Sequence, residues 1–237
     1  MRDLRVLEHH HDDDTTMTPP RFIILALSAL MVVGLALAAL SFPAGDARLA
    51  TLAMAALPQS GVLNPVTAVL LNYRGYDTLL EVAVLLLAIL GIWAVAPQAR
   101  IWIRRPDTPV LAAFVQLLLP LMVVVAGYLL WLGADEPGGA FQGGAVLGAL
   151  GVLWVAAAVW LPNARRGNLL RPLLGIGLAA FIAAAVALLL ARGSLLEYPP
   201  AQAKTIILII EGAALFSIGA TLTLLFVGGF PRRSAAP

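Results

Sequence analysis

The chain of 237 residues contains no cysteine. Disulfides, thiolate zinc sites and cysteine-ligated iron–sulfur clusters are thereby excluded together. Histidine is nearly as scarce: the three present are consecutive, His9-His10-His11. They lie outside every apolar run, which removes a bis-histidine haem within a membrane. Charge is short as well. Asp, Glu, Lys and Arg make up 12% of the chain, against about 25% in an average soluble domain, too little to coat a water-facing surface. The apolar part holds no nucleotide loop, no Ser/His/Asp grouping and no metal-ligand cluster, so neither an enzyme active site nor a cofactor is expected.

What the chain does have is apolar length. Hydrophobic residues make up 61% of it and the mean hydropathy is +0.93. A membrane span needs about 20 apolar residues, and six runs qualify: 22–42, 78–96, 110–132, 141–161, 173–191 and 205–227. The runs are continuously apolar rather than alternating, so the expected fold is an all-α polytopic membrane bundle of about six transmembrane helices, not a barrel. A weaker stretch, 49–71, is broken by Pro58, Gly61, Asn64 and Pro65. It reads as an interfacial helix or a short re-entrant helix packed on protein. Pro120 inside the third run predicts a kink. Residues 1–20, with the run His9–Asp14, read as a disordered polar tail and not a secretory signal. Residues 230–237 form a basic tail.

Positive charge supplies an independent test. With six spans, Arg2, Arg5, Arg21, Arg100, Arg104, Arg105, Arg165, Arg166, Arg171, Arg232 and Arg233 share one side, leaving Arg48, Arg74, Arg192 and Lys204 on the other. That asymmetry predicts both termini in the cytoplasm. It also explains the pI near 9.4 by lipid, without nucleic acid.

Few intramembrane residues can do more than pack. Glu81 lies about one turn inside the second span, and Glu211 lies six residues into the last, so roughly 9 Å along it at about 1.5 Å per residue. A carboxyl group there costs on the order of 2.5–3.5 kcal/mol, and has to be protonated, paired or turned to a hydrated cavity. Each is therefore either a station on a proton or cation path or a hydrogen-bonded structural acid. Asp77, four residues before Glu81, shares its helix face and suits an N-cap before Thr78. Arg74 can pair with Asp77 or with lipid phosphate.

A second feature is Asp135-Glu136-Pro137-Gly138-Gly139-Ala140-Phe141-Gln142-Gly143-Gly144. Pro137, Gly138 and Gly139 predict a tight turn between two spans. Gly143 and Gly144 follow, and Gly144 with Gly148 makes a small-xxx-small face suited to close helix approach. The two acids read as an exposed turn, with cation gathering as the alternative.

Two stretches together resemble a known family. Asn64-Pro65-Val66, an apolar stretch and then Arg74-Gly75-Tyr76-Asp77-Thr78-Leu79-Leu80-Glu81 is similar to the C-terminal end of the large A subunit of Mrp-type multisubunit cation/proton antiporters. It is equally similar to the small E subunit of membrane-bound hydrogenases. Glu136-Pro137-Gly138-Gly139-Ala140-Phe141-Gln142-Gly143-Gly144 resembles the first hairpin of the Mrp B subunit. The resemblance implies two fused modules, 21–97 and 105–229. It further implies an accessory subunit of a multisubunit Na+ (cation)/H+ antiporter related to the membrane arm of respiratory complex I. Its surroundings would be the inner (cytoplasmic) cell membrane, larger antiporter or hydrogenase membrane subunits, lipid, and transported protons and cations such as Na+.

Carried over by motif, Arg74, Asp77 and Glu81 form the polar cluster of the first module; Glu211 matches the second by position. Ala134, Asp135 and Glu136 stand where many B subunits have a histidine, so a relay through that histidine is absent. Ala140, Pro65 and Asn72 replace a glycine, a valine and an aspartate of the family pattern. Two carboxyl groups with no deep base do not make a complete alternating-access exchanger. The remaining readings are an ion-translocating subunit of a redox-driven complex and a purely structural scaffold.

Overall fold

The structure, a computed structural model, describes residues 19–41, 48–95, 109–157 and 164–228. The polar tail with His9–Asp14, the joint after Val95 and the basic tail 230–237 lie outside the described residues. The chain divides into two compact units, 1–49 and 50–237. In the first, α1 (Pro19–Ser41) is a 23-residue apolar helix, so helix begins two residues before the end of the expected tail.

The second unit holds α2 (Arg48–Ser60, whose first residues belong to the first unit), α3 (Pro65–Thr67) running into a π-helical stretch (Ala68–Tyr73), α4 (Gly75–Val95), α5 (Pro109–Leu132), α6 (Ala140–Ala156), α7 (Ala164–Arg192) and α8 (Pro200–Val227). The described residues contain no strand. Four helices, α4, α5, α7 and α8, are long and apolar enough to cross a membrane, and the bent pair α2/α3 makes a fifth if it is one span. Leu25–Ser41 and α6 are shorter apolar helices. The protein is a multi-pass membrane helix bundle.

The stretch 49–71 is where backbone chemistry overrides hydropathy. The two arms of α2/α3 meet at 97°. Gly61 takes φ +75° at the corner, and a Cβ there would lie 2.8 Å from Ala203 Cβ. Asn64 caps α3 by accepting from the Val66 N–H at 2.9 Å, and Pro65 occupies the first turn, where its missing N–H costs nothing. The Asn64 amide also donates to the Glu136 carbonyl at 2.7 Å and the Gly133 carbonyl at 3.3 Å. The N–H groups of Leu63 and Asn64 both reach the Ala134 carbonyl at 3.0 Å. This buried asparagine thus stitches the bent segment to the α5–α6 hairpin.

Asn64→Ala removes the α3 cap and takes a donor from the part-buried Glu136 carbonyl, while the Gly133 carbonyl keeps its bond from the Thr67 hydroxyl, a loss of about 1–2 kcal/mol. Asn64→Asp keeps the cap but offers no donor, so it should also lower the melting temperature of the detergent-solubilised protein. An Asp variant as stable as the parent would show that the donated bonds contribute nothing.

Three boundaries differ from the hydropathy reading. α8 starts at Pro200 rather than Thr205, because Pro200 fits the first helical turn and a polar first turn (Gln202, Lys204) does not break a helix. α7 starts at Ala164, before its apolar run, and passes through Pro172. Asp77 is not an N-cap: Gly75 opens α4, and Asp77 lies in its first turn, where a negative charge meets the positive end of the helix. α5 runs unbroken through Pro120.

α8 is the central post. Half of its spanning window is buried, against 11–28% for the other three long helices. Ile207 and Ile210 join Phe181 of α7 and Leu71 in one apolar cluster; Ala214, Leu215 and Ile218 meet Val82 of α4 and Ala140 of α6 in a second; Leu224 meets Ile89 and Leu174 in a third. Burial in the α7–α8 connection pushes the Tyr198 hydroxyl pKa up, so this group stays neutral across the physiological range.

Candidate functional site

The site is built where the α5–α6 hairpin meets the middle of α8. Glu211 falls eleven residues after Pro200, about 16 Å along the helix at 1.5 Å per residue, so it lies deeper than its distance from the start of the apolar run suggests. It is 7% exposed. Its Oε1 accepts from the Ala140 N–H, the first of α6, at 3.3 Å. That places the carboxyl group at the positive end of a 17-residue helix. Its Oε2 is buried with no hydrogen-bond partner among the described residues.

Two glycines make room for this acid. Gly139 has φ +113°, and a Cβ built there would lie 2.6 Å from Glu211 Oε1. A Cβ on Gly133 would lie 2.7 Å from Gly139 Cα and 3.2 Å from Glu211 Oε2. Backbone without side chains therefore wraps the carboxyl group on two sides. Pro137 is the exposed tip of the turn, and Gly138 lines the neighbouring cavity. Gly143, Gly144 and Gly148 carry α6 down against α8: Cβ atoms there would come within 2.6 Å of Leu215 Cδ1, 2.8 Å of Ile218 Cβ and 2.8 Å of Leu222 Cβ. Gly219 answers from α8, facing Leu147 Cβ at 2.8 Å.

A cavity of about 180 Å³ opens beside Glu211, lined among others by Thr67, Thr78, Glu81, Gln142 and Phe181. One water occupies roughly 30 Å³ in the liquid, so several fit. The hydroxyls of Thr67 and Thr78 already donate, to the Gly133 carbonyl and to the Leu70 carbonyl respectively. What these threonines have left to offer is acceptor oxygen. With two carboxyl groups and the Gln142 amide in the same lining, the cavity favours water or a cation over an anion.

Glu81 and Glu211, 130 positions apart in the sequence, thus share one cavity. Glu81 is exposed at its edge. Arg74 and Asp77 line no part of it: they pair with each other at 2.6 Å, exposed at the start of α4. Asp135 pairs with Lys204 at 2.5 Å, and Glu136 stays exposed. Among the described residues no three His, Cys, Asp or Glu side chains gather as a metal site. Sequence reasoning missed Gly133, Thr67 and Thr78 as parts of this site, and no local pattern marks them. Asn64 followed by Pro65 is a legible cap signal.

A family model described as a domain related to the MnhB subunit of Na+/H+ antiporter matches residues 110–230, about half of the chain. The fold is similar to a chain in the structure of the Mrp complex from Dietzia sp. DQ12-45-1b, with TM-score 0.58 and 22% identity over 94% of this chain. The match spans only 27% of that longer chain. A chain of the membrane-bound sulfane sulfur reductase, an archaeal respiratory membrane complex, is similar at TM-score 0.57 and 26% identity, covering 84% of this chain and 96% of that one. No curated protein matches.

Proposed function

This chain belongs to the family of domains related to the MnhB subunit of Na+/H+ antiporters, and on that premise we propose that it is an accessory subunit whose carboxyl groups serve the ion path of a multisubunit cation/proton antiporter. It is a membrane subunit of a transporter rather than a catalytic enzyme, and its partners are other membrane subunits. In this reading the chain joins two modules, 21–97 and 105–229, and lies in the inner cell membrane with both termini cytoplasmic.

One observation carries the proposal: Glu81 and Glu211 line the same cavity, one at its exposed edge and one at its buried end. Water held there lets a proton or cation pass between them without entering hydrocarbon. Everted vesicles should lose cation-driven proton movement, measured per assembled complex, when both are replaced by glutamine. Undiminished exchange would sink the role of the carboxyl groups.

The sulfane sulfur reductase match favours a second reading, an ion-translocating subunit of a redox-driven complex. Purification in mild detergent separates the two: antiporter subunits alone co-purify in the first case, and a redox subunit joins them in the second.

The topology is testable because the chain lacks cysteine. A single Glu136→Cys in the hairpin should react with a membrane-impermeant maleimide in intact cells. A single Ser234→Cys should react only after lysis. The reverse pattern would place the termini outside.

A further inference from the structure

Among the described residues of the second unit, α4 is covered on one side only. Val82 and Ile89 are buried, 2% and 0% exposed, while Leu80, Val84 and Leu87 are 60%, 61% and 64% exposed. Further along, Gly91 has nothing among the described residues within 4 Å of where a Cβ would stand. Exposed apolar residues are ordinary on a helix in lipid and do not by themselves indicate a partner.

Glu81 does. It lies at the border of this face, one turn before Val84, and is itself exposed. It stands six residues past Gly75, about 9 Å into the helix at 1.5 Å per residue. It makes no ion pair among the described residues; the nearby Arg74 is taken by Asp77. The long stems of Lys and Arg can snorkel to the headgroups, whereas the two methylenes of Glu reach less far. Intramembrane carboxyl groups face a bundle interior, a hydrated cavity or a paired charge. The cavity meets this need on one side of Glu81, and acyl chains cannot meet it on the other. A second copy of this chain laid on the same face would set Glu81 near its own counterpart, a like-charge contact.

We infer that the α4 face formed by Tyr76, Leu80, Glu81, Val84 and Leu87 docks a membrane-spanning helix of a different subunit, which presents a Lys, Arg or His side chain to Glu81. Gly91 lets that helix come close lower down. The inference rests on the reading of the chain as a subunit of a larger complex.

The test uses the complete complex, expressed with all of its subunits. A photo-crosslinking amino acid at Val84 or Leu87 should form a protein adduct on illumination. Mass spectrometry should place that adduct on a spanning helix of another subunit, with a basic residue within one turn. The same probe at Val124, 67% exposed on α5, serves as the comparison surface. Glu81→Lys should reduce co-purification of that subunit by about tenfold or more, as for removal of one member of a buried charge pair. Placing Glu at the partner's basic position should restore it. Lipid-only adducts at Val84, adducts to a second copy, or a contacted helix without a basic residue would each overturn the docking face. Absence of any co-purifying membrane subunit would instead overturn the reading of the chain as a subunit.

Discussion

Glu211→Gln is expected to reduce cation-driven proton exchange by on the order of 10²-fold, the contribution typical of a positioned proton donor or acceptor, while the complex still assembles. The glutamine side chain has nearly the same shape, and its carbonyl oxygen can keep the bond from the Ala140 N–H, now at 3.3 Å. The amide also fits beside Gly133 and Gly139. What it cannot do is carry a negative charge or take up a proton. Glu211 lines the cavity, and its buried Oε2 has no hydrogen-bond partner among the described residues, so what the variant loses is the charge and the proton-binding capacity of this residue. Glu211→Asp keeps the charge but withdraws it from α6, and intermediate exchange should result. Measurement of cation-induced proton release in everted vesicles, beside subunit stoichiometry on the same preparations, separates transport from assembly. Full exchange by the Gln variant would make Glu211 a structural acid.

Gly139→Ala is expected to damage both stability and exchange. At φ +113° an alanine is strained, which costs about 1–3 kcal/mol. Its methyl would also stand 2.6 Å from Glu211 Oε1, so the carboxyl group has to leave the α6 N-terminus or the turn has to open. Gly193 provides the control: its φ is +79°, yet nothing among the described residues lies within 4 Å of a Cβ there. Gly193→Ala should therefore lower the melting temperature through backbone strain alone and leave exchange intact. If both variants lose exchange equally, the collision with Glu211 is not the cause. Combining Gly139→Ala with Glu211→Asp, which draws the acid back, should recover stability relative to Gly139→Ala alone.

Much of this could be read before any coordinates. Helix type, membrane residence and the break in 49–71 follow from apolar run length and from Gly61, Asn64 and Pro65, because these are local properties of the chain. Boundaries were less legible: Pro200 opens α8 within a polar turn that hydropathy discounts, and Gly75 rather than Asp77 leads into α4. The cluster Arg74, Asp77 and Glu81, adjacent in sequence, is divided in space. Glu81 shares a helix face with Asp77 but stands about 6 Å farther along it at about 1.5 Å per residue, at the cavity edge, while the ion pair stays at the exposed end of the helix.

Composition and periodicity alone determined that this is a helical membrane protein with few charges to spare and with two acids where acids are costly. Those facts depend only on transfer of side chains from water to hydrocarbon, which each segment undergoes separately. Only the tertiary structure decided that Glu81 and Glu211 share a cavity, that the first N–H of α6 meets Glu211, and that Asn64 pins the bent helix to the hairpin. Such contacts join residues about 70 to 130 positions apart, and their geometry is set by how closely glycine-lined helices approach.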